Sequence, residues 1–138
     1  MKNKTIKINS LRIAYSPNSD DYSAPGDRRR FNFYAKESNI PLIKFDKNSY
    51  YDIVVLSSVS DISYIKILKE KGTIVIFDLV DSYLTKTSFI KDILRNMGRE
   101  FMHKNYSNLF HLNRYTEKLK KALSMVDAVI CTTKKQKK

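Results

Sequence analysis

The chain has 138 residues, with 26 Lys or Arg against 14 Asp or Glu, so its formal net charge is +12 and its pI is about 9.8. Hydrophobic residues make up 42% of it, enough for the folded core of a single domain. Three Gly, three Pro and one Cys (Cys131) exclude collagen-like, low-complexity and disulfide-stapled proteins, and we expect a cytoplasmic location.

The first half of the chain alternates apolar runs with turn residues. Residues 11–15 predict a strand, and a helical pattern begins at Pro25. Residues 41–45 and 52–56 predict two further strands, and Lys44 marks the first of these as an edge strand. The link between them is too short for a helical crossover. We therefore expect other strands to separate them, or one of them to be an irregular edge.

The second half continues the alternation. In chain order it predicts a helix between Ser60 and Gly72, a strand over residues 73–77, helices over 88–97 and about 106–125, and a strand over 128–132. Ser60 and Asp61 are typical of a helix start, and Gly72 of a helix end. Gly98 is expected to interrupt the helical pattern that runs over residues 88–97.

These elements predict an α/β domain over residues 1–133. The alternation of strands and helices implies a doubly wound, mostly parallel (Rossmann-like) sheet of about five strands, with helices on both faces. The first, fourth and fifth strands are expected near its middle, because they are nearly free of charge. Residues 134–138 are interpreted as a basic tail that begins a truncated helix. Either this tail frays in solvent or the chain is the front part of a longer protein.

Polar side chains follow the predicted strands at their carboxyl ends, where ligands of open parallel sheets bind. They are Ser57 and Ser58, Asp78 and Asp81, Thr132 and Thr133, and the long loop over residues 16–27. Two carboxylates three residues apart can share acid–base chemistry or bind sugar hydroxyls. The alternative is that one of them caps the turn after its strand.

The long loop leads into a basic helix start. It is neither a G-x-G-x-x-G fingerprint nor a P-loop, because Gly26 is its only glycine. Gly26 and the three arginines that follow, Arg28 to Arg30, predict an anion site made of backbone N–H groups and guanidinium groups, with Ser23 and Asp27 beside it. A flexible loop followed by a solvated basic turn explains the same residues.

The remaining polar residues give weaker signals. His103 and His111 have no further ligand at metal-binding spacing, so the sequence predicts no metal site and no cofactor. Lys118, Lys120 and Lys121 fall on one side of a helix, which suits either an anionic membrane surface or solvent. No apolar run approaches the ~20 residues of a membrane span, so any membrane association would be peripheral.

Three segments resemble the N-terminal domain of GT-B glycosyltransferases of the family 4 type. Residues 4–29 look like the first strand and acceptor-side loop of that family. Residues 72–83 look like its strand that ends in D-x-x-D, here Asp78 and Asp81. Residues 115–133 look like its helix that leads into a-D-x-V-x-x-T/S. The glycine-poor first loop departs from the pattern of the family.

The resemblance implies transfer of a sugar from a nucleotide-sugar to a glycan or lipid-linked acceptor in cell-surface polysaccharide assembly. It implies that this chain binds the acceptor and that a C-terminal domain, missing from this sequence, binds the nucleotide-sugar, so we expect no activity from the chain alone. Asp78 and Asp81 would be catalytic, with Asp81 nearest the acceptor hydroxyl. The long loop and the strand-end hydroxyls would bind the acceptor.

Two other classes of protein stay open. A receiver-like or flavodoxin-like binding module would explain Asp20, Asp21 and Lys134, although Ser57 and Ser58 stand where a receiver needs its phosphoacceptor Asp. A nucleic-acid-binding domain rests on the charge alone, and the tyrosines alternate with predicted core positions instead of forming stacking platforms.

Overall fold

The computed structural model of the chain describes residues 10–79, 88–104 and 114–131. Its strands are β1 (Ile13–Ser16), β2 (Leu42–Lys44), β3 (Ile53–Ser57), β4 (Ile74–Leu79) and β5 (Ala128–Cys131). Its helices are α1 (Pro25–Arg29), α2 (Phe31–Glu37), α3 (Tyr64–Glu70), α4 (Phe89–Met102) and α5 (Tyr115–Leu123). All neighbouring strands are parallel, which confirms the predicted α/β class and Rossmann-like sheet.

The strand order is β2-β1-β3-β4-β5, so β3 lies at the centre. The edge position of β2 and its separation from β3 are confirmed, because β1 lies between them. The predicted central position of β5 is wrong. It lies at the edge of the five described strands, and its Val129 is 38% exposed whereas Val75 on β4 is fully buried. An apolar sequence favours a strand, but the neighbouring strands decide how much of it is buried.

Alternate residues of the strands supply the two faces of the sheet. Ala14, Val54 and Val75 lie in register on one face, in a core cluster that includes side chains of α3 and α5. Tyr15 lies on the other face, and its ring is 6.1 Å from that of Phe31 on α2. Helices therefore cover both faces, as the doubly wound fold requires.

Residues 45–52 connect β2 to β3 across β1 without a helix. Two aromatic rings anchor this short crossover to the core: Phe45 and Tyr51 have their centroids 6.0 Å apart, and Tyr51 is buried. The Tyr51 backbone carbonyl also accepts a hydrogen bond from Thr73 Oγ1 (3.0 Å). Eight residues suffice for the crossover because β2 is only three residues long.

The helix pattern that begins at Pro25 is broken at Arg30, whose φ of −128° and ψ of −135° are not helical. α3 begins at Tyr64 instead of Ser60. The Asp61 carboxylate accepts a hydrogen bond from the Ser63 N–H (2.9 Å) and so forms a turn before it.

α4 continues to Met102 instead of stopping at Gly98. A glycine costs a helix only about 1 kcal/mol, and Arg99, one residue later, is held by a hydrogen bond to the Ser58 carbonyl (2.6 Å). The long helix predicted from residue 106 is also wrong at Arg114, where the backbone is extended, so α5 begins at Tyr115. Residues 105–113 lie outside the described part of the chain.

Candidate functional site

The strand order creates a switch point at the carboxyl ends of β1 and β3. From β1 the chain proceeds to β2 on one side, and from β3 to β4 on the other, which leaves a crevice between the two strand ends. A cleft of about 480 Å³ opens there. Phe45 and Tyr64 give it aromatic surface, and its polar lining is Ser16, Asn18, Ser19, Asp20, Ser60, Asp61 and His103.

Asp27, a buried residue of the predicted anion site, holds the loop that walls the cleft. Its carboxylate accepts hydrogen bonds from the Tyr15 hydroxyl (2.7 Å) and the Asn18 N–H (2.8 Å). The Asn18 side-chain amide (2.9 Å) and the Ser19 N–H (3.0 Å) donate to it as well. The charge of Asp27 thus holds the loop, and its buried side chain does not line the cleft.

Gly26 allows this loop to approach α1. A Cβ atom at Gly26 would lie 2.6 Å from Nδ2 of Asn18, closer than side chains approach one another. That amide is a donor to Asp27, so any residue larger than glycine would push it from its partner. Gly26 therefore leaves room for the Asn18 side chain to bind Asp27 in the wall of the cleft.

Two pKa values reflect this network. Burial alone would raise the pKa of Asp27, but the hydrogen bonds from Asn18, Tyr15 and Ser19 outweigh it and hold the pKa below its usual value. Burial, together with the hydrogen bond to Asp27, raises the pKa of the Tyr15 hydroxyl. At neutral pH the pair is a carboxylate and a neutral phenol.

Asp78, a predicted catalytic residue, is buried at the end of β4 and paired with Arg30. The Arg30 Nε donates to both oxygens of the carboxylate, at 2.8 and 2.9 Å, and a terminal guanidinium nitrogen also donates to it. Such a two-oxygen pairing fixes the carboxylate in place. Asp78 is therefore arranged to hold the non-helical residue between α1 and α2 at the sheet.

The strand-end serines are buried beneath the cleft. Ser57 Oγ is 3.2 Å from Ser60 Oγ, so it supports a residue that does line the cleft. The Ser58 backbone carbonyl accepts the hydrogen bond from Arg99, which brings the end of α4 to the site. Both serines support the cleft, and Ser60 lines it.

The basic residues of the predicted anion site lie apart from the cleft. Arg28 and Arg29 are exposed, as is Ser23, whose N–H donates to Asp21 (3.0 Å). Arg29 instead lines a second, mainly apolar groove of about 500 Å³, together with Phe33 and Ile130. Within the described part of the chain, the predicted set of loop residues does not converge on one point.

His103 is a lining residue that the sequence did not assign to the site. It follows α4 directly and lies in the cleft with Ser60 and Asp61, more than forty positions earlier in the chain. No local motif links these residues, since the packing of α4 alone brings them together.

Three of the predicted site residues, Asp81, Thr132 and Thr133, lie outside the described residues, as does His111. Across residues 10–79, 88–104 and 114–131, no three His, Cys, Asp or Glu side chains cluster as metal ligands would. No helix in those ranges has the length and apolar character needed to cross a membrane.

Comparison with known proteins finds no matching family model, no matching curated protein and no matching solved structure.

Proposed function

We propose that this chain is the acceptor-side part of a GT-B glycosyltransferase, which transfers a sugar from a nucleotide-sugar to a glycan or lipid-linked acceptor in cell-surface polysaccharide assembly at the inner face of the membrane. The observation that supports it is the cleft at the β1/β3 switch point. Its hydroxyl, amide, carboxylate and imidazole groups suit the many hydroxyls of a sugar, and Phe45 and Tyr64 suit the apolar face of a sugar ring.

The proposal divides the work between residues of this chain and a second domain. The cleft binds the acceptor, and Asp81 orients the acceptor hydroxyl or accepts its proton as the sugar is transferred. Asp78, fixed by Arg30, positions the strand end that leads to Asp81. The donor phosphates belong to the second domain, because the three glycines of this chain form no phosphate-binding loop.

Binding and turnover by the purified 138-residue chain test the proposal. We expect maltotriose and chitotriose to shift the amide signals of Asn18, Ser60 and His103 in NMR spectra, and His103→Ala to weaken binding about tenfold or more. Lys47→Ala, at an exposed position outside the cleft, is the matched control. Asp81→Asn should also weaken acceptor binding, and unchanged binding would remove Asp81 from the site.

The donor half of the assay uses UDP-glucose. We expect neither hydrolysis nor transfer by this chain alone, because transfer needs donor and acceptor held together in near-attack geometry, an effect worth up to about 7–11 kcal/mol. Turnover by the 138 residues alone would contradict the division between two domains.

A second candidate function follows from the strand order. The order β2-β1-β3-β4-β5 is that of flavodoxin-like domains, whose ligand lies at the β1/β3 switch point. A non-enzymatic binding module of this kind would bind FMN or another aromatic phosphate in the cleft. Quenching of FMN fluorescence by the chain, with no response to either trisaccharide, would favour it over the glycosyltransferase.

A further inference from the structure

The exposed face of α4 is apolar, and its buried face is polar. Ile90 is 67% exposed, Leu94 60% and Phe101 64%, and their spacing of four and seven residues places them on one side of the helix. Phe89 and Met102, at the two ends, are exposed as well. The outer face of α4 is defined here as Ile90, Leu94 and Phe101 with these two flanking residues.

Polar contacts on the inner side fix this orientation. The buried Asp92 accepts hydrogen bonds from the N–H (3.2 Å) and the hydroxyl (2.8 Å) of Thr116 at the start of α5. Glu100 pairs with Lys118 of α5, and Arg99 donates to the Ser58 carbonyl. Rotating the helix to bury its apolar side would break all of these contacts, so the outer face is a feature of the folded protein.

Among the described residues 88–104, which contain α4, the exposed charged residues are all basic. Lys91 on α4 and Lys104 just after it are exposed, whereas the acidic residues of the helix are buried at Asp92 or paired at Glu100. The whole chain carries +12. An apolar stripe with cationic flanks is the pattern of a helix that lies in the surface of an anionic bilayer.

We propose that the outer face of α4 is a docking surface for an anionic lipid bilayer. The helix has 14 residues and is about 21 Å long, too short to span a bilayer, so it would lie in the plane of the lipid headgroups. A second copy of the chain fits less well, because its equal positive charge would face these lysines.

Docking would also orient the cleft. Met102 and His103, at the end of α4, line the cleft, so binding through the outer face brings the mouth of the cleft to the membrane surface. This consequence, which rests on the proposed function, suits a lipid-linked acceptor. The docking itself does not depend on sugar transfer.

The sequence offered a different membrane surface, Lys118, Lys120 and Lys121, as the alternative to a solvated helix face, with residues 28–30 expected nearby if the two segments pack together. Lys118 is paired with Glu100, and Arg30 with Asp78. In addition, α5 and α2 pack on opposite faces of the sheet. These basic residues therefore do not form one continuous patch.

Cosedimentation with vesicles tests the proposal, using phosphatidylcholine alone and phosphatidylcholine with about one third phosphatidylglycerol. We expect at least tenfold stronger binding to the anionic vesicles, and a tenfold or greater loss in the double variant Ile90→Gln/Leu94→Gln. Ile67→Gln is the matched control, because Ile67 is an exposed apolar residue on α3 (46%). Ile90, Leu94 and Ile67 are all exposed, so urea unfolding should show both variants to be as stable as the original chain.

A fluorescence measurement locates the contact. The chain contains no Trp, so Leu94→Trp and Ile67→Trp each introduce a single reporter. We expect a blue shift of the emission on anionic vesicles for Leu94→Trp and none for Ile67→Trp. Equal shifts at the two sites would overturn the assignment to α4.

Other outcomes would also overturn the proposal. One is that the double variant binds vesicles as well as the original chain does, and another is that the chain shows no preference for anionic lipid. A third is that the chain forms a dimer without lipid and that Leu94→Gln dissociates this dimer. Displacement from vesicles by equimolar duplex DNA would indicate a nucleic-acid surface instead. Vesicle binding without any response to the trisaccharides would remove the proposed function and leave the docking surface intact.

Discussion

At Asp27, one buried carboxylate stabilises the whole loop that walls the cleft. Asp27→Asn keeps the size of the side chain but turns an NH₂ group toward donors, leaving at least one of them unpaired. We expect the free energy of unfolding in urea to fall by about 2–3 kcal/mol. Glu37→Gln, at an exposed carboxylate of α2, should change it by less than about 0.5 kcal/mol. Equal effects at the two positions would contradict the role of Asp27.

Two glycines of the chain are expected to respond in opposite directions to alanine. Gly26→Ala should lower the free energy of unfolding by about 1 kcal/mol or more, because the new methyl group displaces the Asn18 amide from Asp27. Gly98→Ala should raise it by about 0.5–1 kcal/mol, because that helix position has open space around it. Thermal or urea unfolding of the two variants measures both, and a stabilised Gly26→Ala would show that the loop is not tightly held.

At the scale of elements, α4 provides the N-terminal cap of α5. Arg114, the residue before α5, makes no side-chain hydrogen bond that caps the helix. The Asp92 carboxylate takes this role by accepting hydrogen bonds from the N–H and the hydroxyl of Thr116. Asp92→Ala should therefore cost about 2 kcal/mol of unfolding free energy. Glu117→Ala, which removes only an exposed ion pair with Arg114, should cost less than about 0.5 kcal/mol. A loss in Asp92→Ala no larger than this control would mean that α5 is capped in another way.

For the whole molecule, lowered carboxyl pKa values predict loss of stability in acid. The pKa of Asp27 is lowered by its hydrogen bonds, that of Asp127 by the ammonium group of Lys69, and that of Asp21 to about 2 by hydrogen bonds from Ser23. In the unfolded chain such groups have pKa values of about 3.9, so below about pH 4 the unfolded chain takes up protons first. Their contribution to stability is present above that pH and is lost as the pH falls further.

Urea unfolding at pH 5, 4 and 3 measures this loss. We expect the free energy of unfolding to decrease over this range, and to decrease less steeply in Asp27→Asn, in which the most buried of the three carboxylates is gone. A free energy that stays constant from pH 5 to pH 3 would show that these carboxylates are not linked to folding.

The amino-acid sequence determined the class of the fold and most of its elements. The five apolar runs became five strands, and Lys44 correctly indicated an edge strand. These features are local: β-branched side chains, turn residues and the alternation of strand with helix act over a few neighbouring positions. The alternation further implied parallel pairing, because each crossover helix returns the chain to the same end of the sheet.

The tertiary structure decided everything that joins distant parts of the chain. Arg30 reaches over 48 positions to pair with the buried Asp78, whose catalytic role stays a prediction. Packing of α4 brings His103 to the cleft and buries Asp92. The apolar residues of α4 would favour burial of the opposite side of the helix. Local preferences are worth about 1 kcal/mol or less per residue, and they do not specify which distant segments pack together. For this reason the edge position of β5, the lining of the cleft and the exposed face of α4 were not predictable from the sequence.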